Sequence, residues 1–245
     1  MGRKSLIVTV LLIAATLQIA AQSGSSAFEF TENKGQWDKQ VRFKGEVSAG
    51  AFYIQKNGFT VVQHNGDDLN NFFRRHHKVD AQGGGGGGIS RPDRGPNSKP
   101  GKPGTGQPAP TPTGPVVRSH AYRVQFLGGD ENSVVVPDKQ VQTNTSYFIG
   151  NDPSKWAVNV SVYQAIVYKN IYPNIDIRYY SEYGRLKYDL IVHPGGEVSN
   201  IAMKYEGADK ISVKNNELII KTSVGELKEL YPYTYQFDMT TGKKK

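Results

Sequence analysis

The sequence predicts an all-β protein, and an antiparallel β-sandwich, either large or two-lobed, is the architecture that fits it best. Short runs rich in β-branched and aromatic residues alternate polar with apolar positions, recur about every 8–12 residues and are separated by turn residues. Beyond the first 21 residues, no window longer than ten residues has a convincing 3.6-residue apolar period. Many short strands between regular turns are typical of sandwiches and barrels.

The strands are predicted in order from local patterns. The first is the alternating run that ends at Thr31, and a short strand follows at 41–43. Two runs within 51–64 flank Lys56-Asn57-Gly58, and Asn-Gly between such runs is a strong signal for a β-hairpin. Residues 120–128 alternate regularly, and 160–196 is the richest region in β-branched and aromatic residues. Shorter runs separated by polar turns continue to residue 237.

A long segment without core-forming residues interrupts these strands. Residues 82–115 hold six consecutive glycines and eight of the thirteen prolines, which predicts a disordered Gly/Pro-rich insertion. The part before it, 27–81, is marginal as a separate domain without disulfides or a metal site. Loop closure costs little more as a loop lengthens. We therefore predict one β domain made of 27–81 and 116–240, incomplete at its C-terminal end.

The N-terminal residues have the features of a secretory signal peptide, predicted at 1–21. Arg3 and Lys4 precede an apolar run to Ile19, and small residues follow, with cleavage predicted between Ala21 and Gln22. The alternative is an uncleaved anchor, but the run is short of the roughly 20 residues that span a bilayer. Export machinery is thus the predicted partner of this segment. The processed chain is expected to have no transmembrane segment.

Composition narrows the classes of function. The chain has a net charge of +8, but the excess lies in the leader, the Gly/Pro segment and the tail Lys243–Lys245, so the remaining body is neutral. Nucleic acid is therefore not expected as a partner, because its binding needs positive charge gathered on the folded surface. The absence of cysteine excludes a disulfide scaffold and thiolate zinc sites. No motif for a cofactor or a metal is present, and His76 and His77 are interpreted as solvated loop residues.

Four carboxylates, Asp176, Asp189, Glu206 and Glu226, are the candidates for chemistry. Asp176 and Asp189 lie on consecutive predicted strands, and a glycosidase would need two acids that face each other across a cleft. Strand alternation places Asp176, Arg178 and Tyr180 on one face, where opposite charges on neighbouring strands usually stabilise the sheet. We favour a structural ion-pair ladder over a catalytic pair. Glu206 and Glu226 are further carboxylates without a predicted partner.

Aromatic residues suggest a possible ligand surface. The chain has fourteen tyrosines and two tryptophans, and Trp156 and Tyr180 are candidates for an exposed carbohydrate- or peptide-binding surface. The simpler interpretation is that tyrosine fills half-buried sheet faces. Trp37, in "FTENKGQW", is predicted to anchor the first strand against the sheet, since Asn33-Lys34-Gly35 is a turn sequence.

Three stretches resemble a known type of domain: "FTENKGQWDKQVRFKG", "SYFIGNDPSKWAVNVSVYQAIVYKNIYPNIDIRYYSEYGRLKYDLIVHPGG" and "IAMKYEGADKISVKNNELIIKTSVGELKELYPYTYQ". They resemble the uncharacterised N-terminal β domain of large exported Bacteroidetes-type surface proteins. There the domain precedes SBBP-type β-propeller repeats and gliding-motility-type C-terminal sorting domains. The chain resembles a truncated copy, since it stops at "MTTGKKK". The resemblance implies a secreted or cell-surface location, or a periplasmic one if the sorting domain is missing, and no catalytic residues.

Three functions follow from these observations. The first is a non-catalytic structural or interaction module of an exported protein, with surface proteins or glycans as partners. The second is a carbohydrate-binding or carbohydrate-active β-sandwich that uses exposed aromatic residues and the region of Asp176 and Asp189. The third is the binding of an acidic polymer through the flexible basic segments.

Overall fold

The fold is seen in a computed structural model that describes residues 5–10, 12–13, 29–47, 49–82, 116–182, 185–237 and 244. For residues 5–10, 12–13 and 76–82 it describes the backbone alone. The predicted disordered segment lies outside the described residues, except for Gln82. The predicted cleavage point, Ala21 and Gln22, lies outside them as well.

The described residues confirm the predicted all-β fold, with antiparallel strands and one α-helix. The elements are β1 (Ser5–Val10), β2 (Leu12–Ile13), β3 (Phe30–Glu32), β4 (Phe43–Val47), β5 (Gly50–Gln55), β6 (Gly58–His64), α1 (Gly66–Gln82), β7 (Ser119–Phe126), β8 (Val134–Tyr147), β9 (Ala157–Tyr172), β10 (Ile175–Glu182), β11 (Arg185–Val192), β12 (Met203–Glu206), β13 (Lys210–Lys214), β14 (Glu217–Thr222), β15 (Gly225–Glu229) and β16 (Tyr233–Phe237), with short 3-10 helices at Pro153–Lys155 and Val198–Asn200.

The strands form a large sheet and a small one. The large sheet has the order β12-β7-β6-β5-β4-β3-β9-β10-β11-β1-β16, and β8 pairs with β9. The long strand β9 pairs with β3 at Val162 and Tyr163 and with β10 from Ala165 onward, so the sheet divides there into two arms. The small sheet has the order β13-β14-β15-β2.

The core lies between the two arms. Phe52 and Phe59 from one arm contact the ring of Tyr179 from the other, at 5.3 and 5.5 Å between ring centroids. Phe126 meets Tyr168 edge-on at 5.1 Å. The inward residues of β10 and β11 alternate with outward polar ones, as the period-two pattern predicts. Burial of these large aromatic side chains, together with the aliphatic residues around them, favours folding.

The strands on either side of the Gly/Pro segment are neighbours. β6 pairs with β7 from Gly58 opposite Gln125 to His64 opposite Ser119. At the mouth of the insertion, the Arg118 side chain donates to Asp68, with its Nε 2.7 Å from Oδ2. The chain therefore leaves the large sheet at the end of β6 and rejoins it beside that point at the start of β7, with α1 following β6.

The prediction that the chain has no helix after the leader is wrong, because α1 is an α-helix. His76 and His77 belong to this helix, so their interpretation as loop residues is wrong as well. Asn65 caps the helix, since its Oδ1 accepts from the Asp68 backbone N–H at 3.0 Å. Asp67 and Asp68 lie in the first turn, where negative charge favours a helix. The helix is mostly polar, so it lacks the long apolar stripe on which the sequence prediction depended.

Part of the predicted leader occupies a strand position. β1 pairs with β11 on one side and β16 on the other, while β2 pairs with β15. Among the described residues, no helix is both long and apolar enough to cross a membrane.

Candidate functional site: the polar outer face of the large sheet

The candidate residues Asp176, Tyr180 and Asp189 lie on the strands β10 and β11. Tyr179 and Tyr188 of these strands are buried, and the half-buried residues that alternate with them, such as Tyr180 and Asp189, lie on the opposite face of the sheet. Arg178 stands directly opposite Asp189, and Tyr180 opposite Lys187. The strand pairing thus brings the predicted polar residues together on the outer face of the sheet.

Asp176 is a buried carboxylate, with 3% of its surface exposed. Its Oδ2 accepts from Lys169 Nζ at 2.8 Å and lies 3.2 Å from His193 Nε2, while its Oδ1 accepts from the Asn170 backbone N–H at 2.8 Å. Burial alone would raise its pKa, but these hydrogen bonds outweigh burial and lower the pKa of Asp176. The carboxylate therefore stays ionised and fixes the β9–β10 turn, beside the register shift between Ile175 and Ile177.

Arg178, Tyr180 and Asp189 form a connected polar group with Asp138 of β8. The Arg178 guanidinium donates to Asp138 Oδ2 at 3.0 Å and lies over the Tyr180 ring at 4.9 Å. The Tyr180 hydroxyl donates to Asp189 Oδ1 at 3.1 Å. Burial and the negative charge of Asp189 raise the pKa of Tyr180, so its hydroxyl remains a donor. The arrangement holds charges in fixed pairs across β8, β10 and β11.

The other predicted carboxylates lie on the surface in pairs with lysines. Glu206 contacts Lys204 at 2.6 Å, and Glu226 lies within 4.0 Å of Lys221 and Lys228. In the part of the chain that the structure describes, no group of three or more His, Cys, Asp or Glu side chains could hold a metal ion.

Trp156 lies apart from these carboxylates, at the tip of the β8–β9 hairpin. Its ring is 44% exposed and meets the exposed Phe148 edge-on at 5.6 Å. The indole N–H donates to the Gly150 carbonyl at 3.2 Å, which fixes the ring on the hairpin. Because the two rings are nearly perpendicular, they do not form the flat row on which a sugar chain stacks.

The "FTENKGQW" stretch packs against the same hairpin. The Asn33 side chain accepts from the backbone N–H of Gly35 and donates to the carbonyl of Val41, which closes the loop. Trp37 meets Tyr147 of β8 edge-on at 5.2 Å, and Lys44 lies over its ring at 5.4 Å. These contacts fit an anchor for the first strand.

We expect Trp37→Ala to lower the free energy of unfolding by about 1–2 kcal/mol, because the substitution removes an aromatic pair and a cation–π contact together with apolar burial. Urea unfolding followed by tyrosine fluorescence measures the loss. Trp156→Ala is the matched control, since that ring is more exposed and should cost less. Equal stability of Trp37→Ala and the parent would show that Trp37 does not anchor the strand.

A buried acid that the sequence pattern does not reveal lies between the two sheets. Glu229 ends β15 and is 6% exposed. Its oxygens accept from the hydroxyls of Tyr205 at 2.8 Å and Tyr188 at 3.1 Å. Burial raises the pKa of Glu229, and the two hydrogen bonds offset only part of this effect. Its position next to a "YPYTY" turn gives no sequence signal of burial.

This buried acid predicts a pH dependence of stability. The folded protein holds the Glu229 proton to higher pH than the unfolded chain, whose ordinary pKa is 4.5. Between these two pKa values the folded state binds more protons, so its stability should fall as pH rises, by at most about 1.4 kcal/mol per pH unit. Urea unfolding from pH 4 to 8 should show this fall in the parent and a flatter profile in Glu229→Gln. Equal slopes in the parent and Glu229→Gln would contradict the assignment.

The small sheet carries a basic concave face. Lys210, Lys214, Lys221 and Lys228 line a shallow cavity of about 250 Å³, together with two glutamates. Lys210 stands directly opposite Lys221, and like charges in that position destabilise a strand pair. Glu226 lies near Lys221 and Lys228 and reduces the repulsion.

The fold and the polar outer face together define a class of protein. It is an all-β domain with two antiparallel sheets, and the carboxylates on its outer face form ion pairs with lysine and arginine side chains of the same sheet. A family model described as "Domain of unknown function (DUF7948)" matches residues 30–245, and the chain belongs to this family. No curated protein and no solved structure matches the chain.

Proposed function

We propose that this domain is a non-catalytic structural or interaction module of an exported protein that is secreted or held at the outer cell surface. The non-catalytic part of this proposal is supported by the contacts of Asp176. Its carboxylate oxygens lie within hydrogen-bond distance of Lys169, His193 and the Asn170 N–H. Asp189 accepts from Tyr180 and stands opposite Arg178. These partners belong to the scaffold and stabilise the sheet.

The proposal of export is supported by the basic n-region, the apolar run and the small residues before Gln22. Expression of the full chain in an exporting bacterial host tests it by the intact mass and N-terminal sequence of the exported protein. The expected first residue is Gln22. A control with Leu11→Arg, which interrupts the apolar run, should stay inside the cell. Exported protein that retains residues 1–21 would contradict the proposed cleavage.

The non-catalytic assignment is tested with Asp176→Asn and Asp189→Asn. We expect the parent to leave a panel of chromogenic glycosides unhydrolysed, and Asp176→Asn to lower thermal stability because an ionic contact is lost. Hydrolysis by the parent that disappears in Asp189→Asn, at unchanged thermal stability, would overturn the assignment.

Carbohydrate binding is a second candidate, and it is favoured by the exposed Tyr233 of β16 beside the half-buried Tyr235, over whose ring Lys244 lies. The Tyr233 and Tyr235 rings lie 5.8 Å apart and are tilted by 38°, and Tyr233 is 65% exposed. Such neighbouring rings offer a stacking surface for sugars. A glycan array should then give hits that Tyr233→Ala weakens and Trp156→Ala leaves unchanged. An array without hits would remove this candidate.

A further inference from the structure

In the large sheet, β1 lies between the strands β11 and β16. Leu6 to Val10 pair with Tyr188 to Val192 of β11, and Ser5 to Thr9 pair with Tyr233 to Phe237 of β16. Both edges of β1 are therefore used. We call the place between β11 and β16 the strand slot.

The strand slot matters because the residues in it are those expected to leave on export. The family match begins at Phe30, so β1 and β2 lie outside the shared domain while their backbones complete its sheets. β1 is the neighbour through which β16 joins the large sheet. Removal of residues 1–21 would leave the N–H and C=O groups along one edge of β11 without their strand partners, and such an edge is a template for pairing.

We propose that the strand slot of the exported protein is an acceptor site for a free, extended, apolar segment of another polypeptide. This inference rests on the proposed export and cleavage. In such a complex, main-chain hydrogen bonds supply affinity and alternate side chains supply specificity.

The chemistry of the occupant follows from β11. Tyr188, Leu190 and Val192 are buried, and by register they stand opposite Val10, Val8 and Leu6. An occupant is therefore expected to place apolar residues at alternate positions beside these three. The segment that fills the slot in the full chain, Ser-Leu-Ile-Val-Thr-Val, is uncharged and four of its six residues are β-branched, which suits a buried strand.

The geometry also selects a free segment over a folded partner. A slot with pairing edges on both sides admits a strand whose own two edges are unused. The exposed β11 edge of a second copy does not qualify, because its other edge already pairs with β10. A tail or linker of another polypeptide meets the requirement.

The test uses the exported, processed protein and a fluorescent peptide of residues 5–10 with lysines added at both ends for solubility. The control peptide carries Val8→Pro, which removes an N–H and disfavours a central strand while keeping the peptide apolar. Fluorescence anisotropy should show saturable binding at least tenfold tighter than that of the control. Hydrogen exchange should show new protection within 185–192. Unprocessed protein, whose slot is filled, should not bind.

Several outcomes would overturn the inference. Equal binding of both peptides, or binding of neither, contradicts an acceptor slot. Discrete dimers of the processed protein that the peptide dissociates would make a second copy the occupant. If the processed protein is unfolded alone, the parent peptide should induce β structure seen by circular dichroism and the proline peptide should not; folding with neither peptide or with both equally would contradict the slot. If the intact mass shows that the exported protein retains residues 1–21, the proposed cleavage is wrong. If residues 1–21 are absent and the peptide still does not bind, the cleavage stands and the acceptor slot is wrong.

Discussion

Gly58→Ala should destabilise the protein by roughly 3 kcal/mol or more, the upper part of the range for local backbone strain. Gly58 begins β6 with φ at +136°, a region that residues with a side chain rarely adopt. A Cβ at this position would lie 2.1 Å from the Val124 carbonyl oxygen of β7. Because the clash is with backbone, β6 and β7 would have to separate at the start of their pairing. Urea unfolding of the two proteins measures the difference.

Gly35→Ala is the matched control for this substitution. Gly35 also has a positive φ, at +109°, but a Cβ there would meet no atom of the described residues within 4 Å. The control therefore isolates the cost of the backbone conformation, roughly 1 kcal/mol. A Gly58→Ala protein no less stable than Gly35→Ala would show that the close approach of β6 and β7 is not required.

Tyr168→Phe and Tyr179→Phe should have different effects, although each removes one hydroxyl from a fully buried tyrosine. The Tyr168 hydroxyl lies 2.8 Å from the Gln55 carbonyl oxygen and 2.6 Å from that of Gly58. Its single hydrogen is donated to one of these carbonyls or shared between them, at the β5–β6 turn. Its loss should cost about 1–3 kcal/mol, the penalty for buried polar groups left without a donor.

The Tyr179 hydroxyl, by contrast, is buried and has no hydrogen-bond partner among the residues that the structure describes. Tyr179→Phe removes an unsatisfied polar atom and keeps the ring contacts with Phe52 and Phe59. Its stability should equal or exceed that of the parent. Thermal unfolding of the two variants provides the comparison. A larger loss in Tyr179→Phe than in Tyr168→Phe would mean that the hydrogen bonds at the β5–β6 turn contribute little to stability.

The candidate site was predictable in part. Strand alternation placed Arg178 and Tyr180 on one face, and the structure puts them there. The sequence could not set the register between β10 and β11, nor show that Arg178 pairs with Asp138, forty residues earlier. That contact depends on β8 and β10 both flanking β9, a matter of strand order.

Burial of polar groups was the least predictable property. Glu229 looks like an ordinary strand-end acid in the sequence, and its burial results from the packing of the small sheet against Tyr188 and Tyr205. Helix α1 was missed for another reason: its signal is the cap at Asn65 and two acids, without a long apolar stripe.

By itself the sequence determined that the chain is an antiparallel β protein and that a hairpin turns at Lys56-Asn57, because strand periodicity and turn chemistry are local properties of a few adjacent residues. Only the tertiary structure decided which hydroxyl donates a hydrogen bond to the carbonyls of the β5–β6 turn, which acid is buried and which strands lie on either side of residues 5–10. These three properties depend on the order and register of the strands. Strand order and register are set by contacts between residues far apart in the chain, such as Tyr168 and Gly58.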